Sequence, residues 1–102
     1  MTSVHDLPVF DAAEYLDTED AVADYLEAVV EEDITMLPAA LGTVARARGM
    51  SSLARDTGLA RESLYRALSE DGNPTLSTLS KVLSAYGVQI SLKPAREELV
   101  AA

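Results

Sequence analysis

The sequence predicts an all-α domain of five to six helices that carries a helix-turn-helix and ends in a short C-terminal β-strand. Three observations support that expectation. Apolar residues recur at helical spacing through most of residues 11–86. Glycines at 49, 58 and 87 stand where helices would stop. The stretch MSSLARDTGLARESLYRALS, residues 50–69, sets small and apolar residues where two helices meet across a glycine turn.

Taken in order, residues 1–10 read as an irregular arm. Residues 11–33 read as an acidic helical extension, a short helix followed by a longer one, with Asp11 and Thr18 as N-caps. Its inward positions are Ala12, Tyr15, Leu16, Ala21, Val22, Tyr25, Leu26, Val29 and Val30. Residues 34–94 form the helix-turn-helix domain with its terminal strand, and 95–102 a frayed tail. A cap at Thr35 would put Pro38 inside a first turn, where its missing N–H matters little. Leu37, Leu41, Val44 and Ala45 then line the buried stripe, and Gly49 ends the helix.

Ser51 is the expected cap of the next helix, which stops at Gly58. The following helix spans ARESLYRALS, and EDGNP is a turn cluster. Thr75 caps a last helix with Leu76, Leu79, Val82 and Leu83 inward and Gly87 as its stop. In VQISLKP, Val88, Ile90 and Leu92 alternate with Gln89, Ser91 and Lys93, the period of a strand. A lone strand must pair with another chain or lie on the helices; Val88, Ile90 and Leu92 are the candidate dimer contact.

The charge divides the chain. Formal net charge is −9 over 102 residues, yet residues 1–45 hold eleven acids and no Lys or Arg. Residues 46–96 hold eight bases against four acids. The average therefore describes neither half. The chain has no Cys, which excludes a disulfide framework or thiolate metal site and fits a reducing compartment. No apolar run approaches the ~20 residues of a membrane span. MTSVHDLPVF also lacks the basic flank and long apolar stretch of a signal peptide. A cytoplasmic protein without membrane contact is the expectation.

Chemistry concentrates at residues 50–69. Ala54 allows close helix approach, Gly58 permits the tight turn, Leu59 plugs the corner, and Leu53, Leu64 and Leu68 face inward. An ordinary helical hairpin would share several of these features. Ala60 is a poor N-cap and Arg61 sets a cation against the helix dipole; local rules broken together mark a working surface. Arg61, Glu62, Ser63, Tyr65 and Arg66 are the candidate base-reading residues, because Arg can reach guanine O6 and N7 and Glu can accept from cytosine N4. Glu62 and Arg66 could instead form only an i,i+4 surface pair. Ser51, Ser52, Asn73 and Thr75 are candidate phosphate contacts. Arg46 and Arg48 could contact phosphate, stay solvated or bridge to the acidic helices.

LARDTGLARESLYRALS resembles the lambda-repressor-like, Xre-type helix-turn-helix, and residues 10–94 resemble the addiction-module antidote proteins, a branch of small antitoxins. ARARGMSSLARDTGLARESLYRALSEDGNP is the most distinctive part. The resemblance implies a dimer on double-stranded operator DNA that represses its own operon and neutralises a small toxin of RNA-cleaving or gyrase-poisoning type. Ala60 departs from the Xre pattern, where a capping Ser or Thr is commoner, which leaves the helix start open.

Against such a toxin, expected to be small and basic, Glu14, Asp17, Asp20, Asp24, Glu27, Glu31 and Glu32 form a one-signed candidate face. A merely solvated face is the alternative. The competing readings are a stand-alone transcriptional regulator without a toxin and a non-DNA-binding interaction module. Catalysis is not expected: the only His is His5 in the arm, and there is no phosphate-binding glycine loop or tetrahedral metal set. No cofactor is expected.

Overall fold

The structure is a computed structural model that describes residues 15–95. Its described part is all-helical. The elements are α1 (Glu19–Glu32), a 3-10 turn (Ile34–Met36), α2 (Leu37–Arg48), α3 (Met50–Thr57), α4 (Arg61–Ala67) and α5 (Leu76–Ala85). The arm, Asp11, Ala12, Glu14 and residues 96–102 lie outside the described residues.

Helix α1 starts where Thr18 Oγ1 accepts from the Ala21 N–H at 3.0 Å, as its sequence signature predicts. It buries Val22 and Leu26 and turns its acids outward. Asp33 then caps the 3-10 turn, its Oδ1 accepting from Thr35 N at 3.0 Å and Thr35 Oγ1 at 2.7 Å. The cap expected of Thr35 therefore belongs to Asp33, and α2 begins at Leu37 with Pro38 in its first turn. The short carboxylate one residue after α1 reaches the free N–H groups first.

Helix α2 is the centre of the core. Ala40, Leu41, Val44 and Ala45 are buried, and Leu37 packs at the edge. Gly49 ends α2 and also holds the N-cap position of α3, so the corner is one residue long. Ser51 is consequently not the cap. Met50, 5% exposed, is drawn into the core and starts the helix two residues earlier than a Ser51 cap would. Leu53, Leu64, Leu68, Val82, Leu83 and Tyr86 belong to the same buried cluster.

Helix α5 starts at the Thr75 cap, with Oγ1 accepting from Thr78 N at 3.1 Å. Its C-terminus is a Schellman motif: Val88 N donates to Leu83 O at 2.9 Å and Gly87 N to Ser84 O at 3.0 Å. Leu76 is 72% exposed rather than inward, and Tyr15 is 48% exposed. At the first position of α5, Leu76 lies ahead of the stripe that begins with Leu79.

No strand forms among the described residues, and the β-strand expected over Val88–Lys93 is absent. Val88 packs on the core, whereas Ile90 and Leu92 are exposed. Alternating apolar residues do not make a strand without a neighbouring backbone to bond.

Candidate nucleic-acid interface

Gly58 adopts φ 75°, the left-handed conformation that glycine enters without a Cβ penalty, and its N–H closes α3 on Ala54 O. Thr57 holds the turn from both sides. Its hydroxyl donates to Leu53 O at 2.7 Å and accepts from Leu59 N at 3.2 Å. Ala54 and Leu59 pack against the core at this corner. Helix α3 packs on α2, α4 and α5, so α4 is carried by a rigid base.

Ala60 occupies the N-cap of α4 in extended conformation and makes no side-chain cap bond, as its side chain dictates. Leu64 is buried and anchors the helix, while Arg61, Glu62, Ser63, Tyr65 and Arg66 are all exposed. The structure thus places the five candidate base-reading residues on the outer side of one short helix.

Two of them are joined. The Arg61 guanidinium carbon lies 5.7 Å from the Tyr65 ring centroid. Its Nη2 donates to the Tyr65 hydroxyl at 3.4 Å. The pair is one turn apart, the spacing at which helical side chains meet. Glu62 and Arg66, the i,i+4 pair that sequence alone allows, make no ion pair.

The phosphate candidates flank α4. Ser51 is exposed at the start of α3, and Ser52 Oγ accepts from Arg55 Nη2 at 3.4 Å. Asn73 and Thr75 line a groove of about 220 Å³ with Ser63 and Ala67 of α4. Thr75 is committed locally, since its hydroxyl caps α5 and donates to Thr78 Oγ1 at 3.2 Å. Asn73 is exposed.

Arg46 and Arg48 do not bridge to the acidic helix among the described residues. Arg46 is exposed, and Arg48 lies with its guanidinium carbon 5.8 Å from the Tyr86 ring centroid. Burial pushes the Tyr86 hydroxyl up to about 12, a rise that nearby Arg48 opposes and Asp56 reinforces more weakly. That hydroxyl is buried without a hydrogen-bond partner.

On α1, Asp20, Asp24, Glu27, Glu31 and Glu32 are exposed, as is Asp17 just before it. Glu14 lies outside the described residues. Helix α1 packs on α2 and the 3-10 turn, so separate elements carry the acidic face and the α4 face. Like charges at i,i+3 and i,i+4 each cost a helix roughly 0.2–0.5 kcal/mol. Among the described residues no group of acidic side chains is placed to hold a metal ion, and no helix is long and apolar enough to cross a membrane.

Two features escape the sequence reading. Gly42 faces the backbone of Leu68 at the end of α4, where a Cβ would collide with the carbonyl oxygen. Its signal was a lone glycine inside a helix, which costs about 1 kcal/mol relative to Ala unless something requires it. The Arg61–Tyr65 pair had only its i,i+4 spacing to announce it.

Residues 6–94 match the model of a family described as "Probable addiction module antidote protein". A protein of Haemophilus influenzae, described as uncharacterized, is 47% identical over 88 residues, covering 85% of this chain and 91% of its own length. No solved structure matches the chain.

Proposed function

The chain belongs to this family of addiction module antidote proteins, and from that premise we propose an antitoxin with two working faces. One face binds operator DNA. Helices α3 and α4 act as a helix-turn-helix of lambda-repressor-like, Xre type, with α4 entering the major groove. The chain binds as a homodimer, with half-sites about one helical turn (~34 Å) apart, and represses its own transcription. The other face, on α1, holds a small basic toxin by protein–protein contact.

The observation that carries the DNA reading is the outer side of α4. A helix held by buried Leu64 behind a left-handed glycine turn presents Arg61, Glu62, Ser63, Tyr65 and Arg66 to solvent. None of them is tied up in an ion pair among the described residues. Arg61 and Arg66 supply donors for base edges or phosphates, and Ser63 opens onto the groove that Asn73 lines. The surrounding half of the chain is locally basic, and phosphate binding responds to that local field more than to acids beyond a Debye length of ~8–10 Å.

The toxin reading is supported by family membership and by an acidic stripe that no cation neutralises among the described residues. A face of one sign steers a partner of the opposite sign. The test has two arms. The purified protein should shift a duplex taken from upstream of its own gene, and it should co-purify with the product of an adjacent short reading frame and relieve the growth arrest that product causes. Failure of the first arm at low salt removes the DNA reading. Failure of the second leaves a stand-alone regulator.

A further inference from the structure

An arginine reads guanine through two donors in the plane of its guanidinium, so the plane has to be presented at one orientation. Arg61, at the first position of α4, has no carboxylate to orient it among the described residues. It meets the face and hydroxyl of Tyr65 instead, at 5.7 Å and 3.4 Å. The Tyr65 ring is 45% exposed and does not belong to the core. Its described partner is Arg61. A π-face contact restrains the cation while consuming little of its donor capacity, which a carboxylate would occupy.

From this geometry we propose that Tyr65 is a positioning residue, which presents Arg61 to one G·C pair of the operator half-site. The proposal rests on the DNA-binding reading above. Ordering the arginine before the duplex arrives reduces the freedom lost on docking, so Tyr65 acts on discrimination at that base pair. Phosphate contacts, by contrast, act on all sequences alike.

The test uses the full chain and duplexes selected by the wild-type protein from a randomised pool. Affinities are measured for the selected duplex and for versions with each G·C pair replaced by A·T, using wild type, Arg61→Ala, Tyr65→Leu and Tyr65→Phe. Arg61→Ala should flatten discrimination at one pair. Tyr65→Leu should lower discrimination at that same pair by about two- to fivefold, the size of an exposed cation–π contact, with an unchanged salt dependence. Tyr65→Phe should recover most of it. Melting temperatures report any folding defect separately.

Tyr65→Leu discriminating like wild type while Arg61→Ala does not would overturn the positioning role and leave the DNA reading standing. A Tyr65→Leu loss equal for every duplex would also overturn it, since it marks a phosphate contact. Wild-type behaviour from Arg61→Ala would overturn the positioning role while leaving DNA binding to Arg66, and the lack of any selectable duplex would overturn both.

Discussion

Gly42 of α2 lies against the carbonyl oxygen of Leu68 at the end of α4, with no room between them for a side-chain carbon. Helix α2 thereby fixes the height of α4 through backbone contact, and the outer residues of α4 inherit that placement. Gly42→Ala pits a modest gain in helix propensity against a clash with backbone, which cannot swing away as a side chain would. The expected result is a loss of about 1–3 kcal/mol in denaturant unfolding. In a domain of this size that corresponds to a melting temperature lower by several degrees.

Tyr86 should behave in the opposite sense. Its hydroxyl is buried and unpartnered, so Tyr86→Phe removes a desolvated polar group and keeps the ring under Arg48. Stability near neutral pH should rise, by about 1 kcal/mol. Because the folded chain raises the hydroxyl to about 12, it favours the protonated form. That contribution is complete below the ordinary tyrosine value near 10 and is lost as pH climbs through about 12. Ultraviolet titration should show one late tyrosine that the Phe variant lacks, and the variant should lose less stability between about pH 10 and 12.

Asp33 governs the acid side. Hydrogen bonds from the Thr35 hydroxyl and the Thr35 N–H hold its carboxyl below the ordinary value. A lowered value adds stability above the usual carboxylate range, and that stability disappears as pH falls through the folded value. Asp33→Ala should melt lower than wild type at pH 7 and approach it under acid. Asp33→Asn, which still accepts at the turn, should show a flatter pH profile.

Neutralising the acidic stripe separates the two faces. Asp24, Glu27 and Glu31 are exposed and make no ion pair among the described residues, so Asp24→Asn, Glu27→Gln and Glu31→Gln together should leave the melting temperature unchanged or slightly raised. Operator affinity should stay at the wild-type value, while co-purification of the adjacent gene product should fall. Substitution suits this question better than deletion, since Val22 and Leu26 of the same helix belong to the core.

Much of this architecture was legible from residue chemistry. Thr18 and Thr75 announced their caps, Gly49, Gly58 and Gly87 their stops, and Leu41, Val44, Leu53, Leu64 and Leu68 the core. The misses share one cause: they depend on what lies across space. Ser51 looked like a cap until the burial of Met50 moved the helix start. Leu76 and Tyr15 fit apolar spacing, but no neighbour covers them fully. Residues 88–93 alternate like a strand, yet alternation specifies faces and says nothing of a bonding partner. Gly42 and the Arg61–Tyr65 pair needed coordinates, one for a backbone contact and the other for a choice of rotamer.

The central claim, that α4 reads operator DNA, is tested most directly by fluorescence anisotropy. The duplex comes from upstream of the chain's own gene, at 0.1 M salt, and the proteins are wild type, Arg61→Ala and Arg66→Ala. Each arginine that contacts DNA should cost about 1–3 kcal/mol, roughly 5- to 150-fold in Kd, with Arg61→Ala also relaxing specificity at one base pair. Wild-type affinity in both variants, with folding intact, would contradict the account.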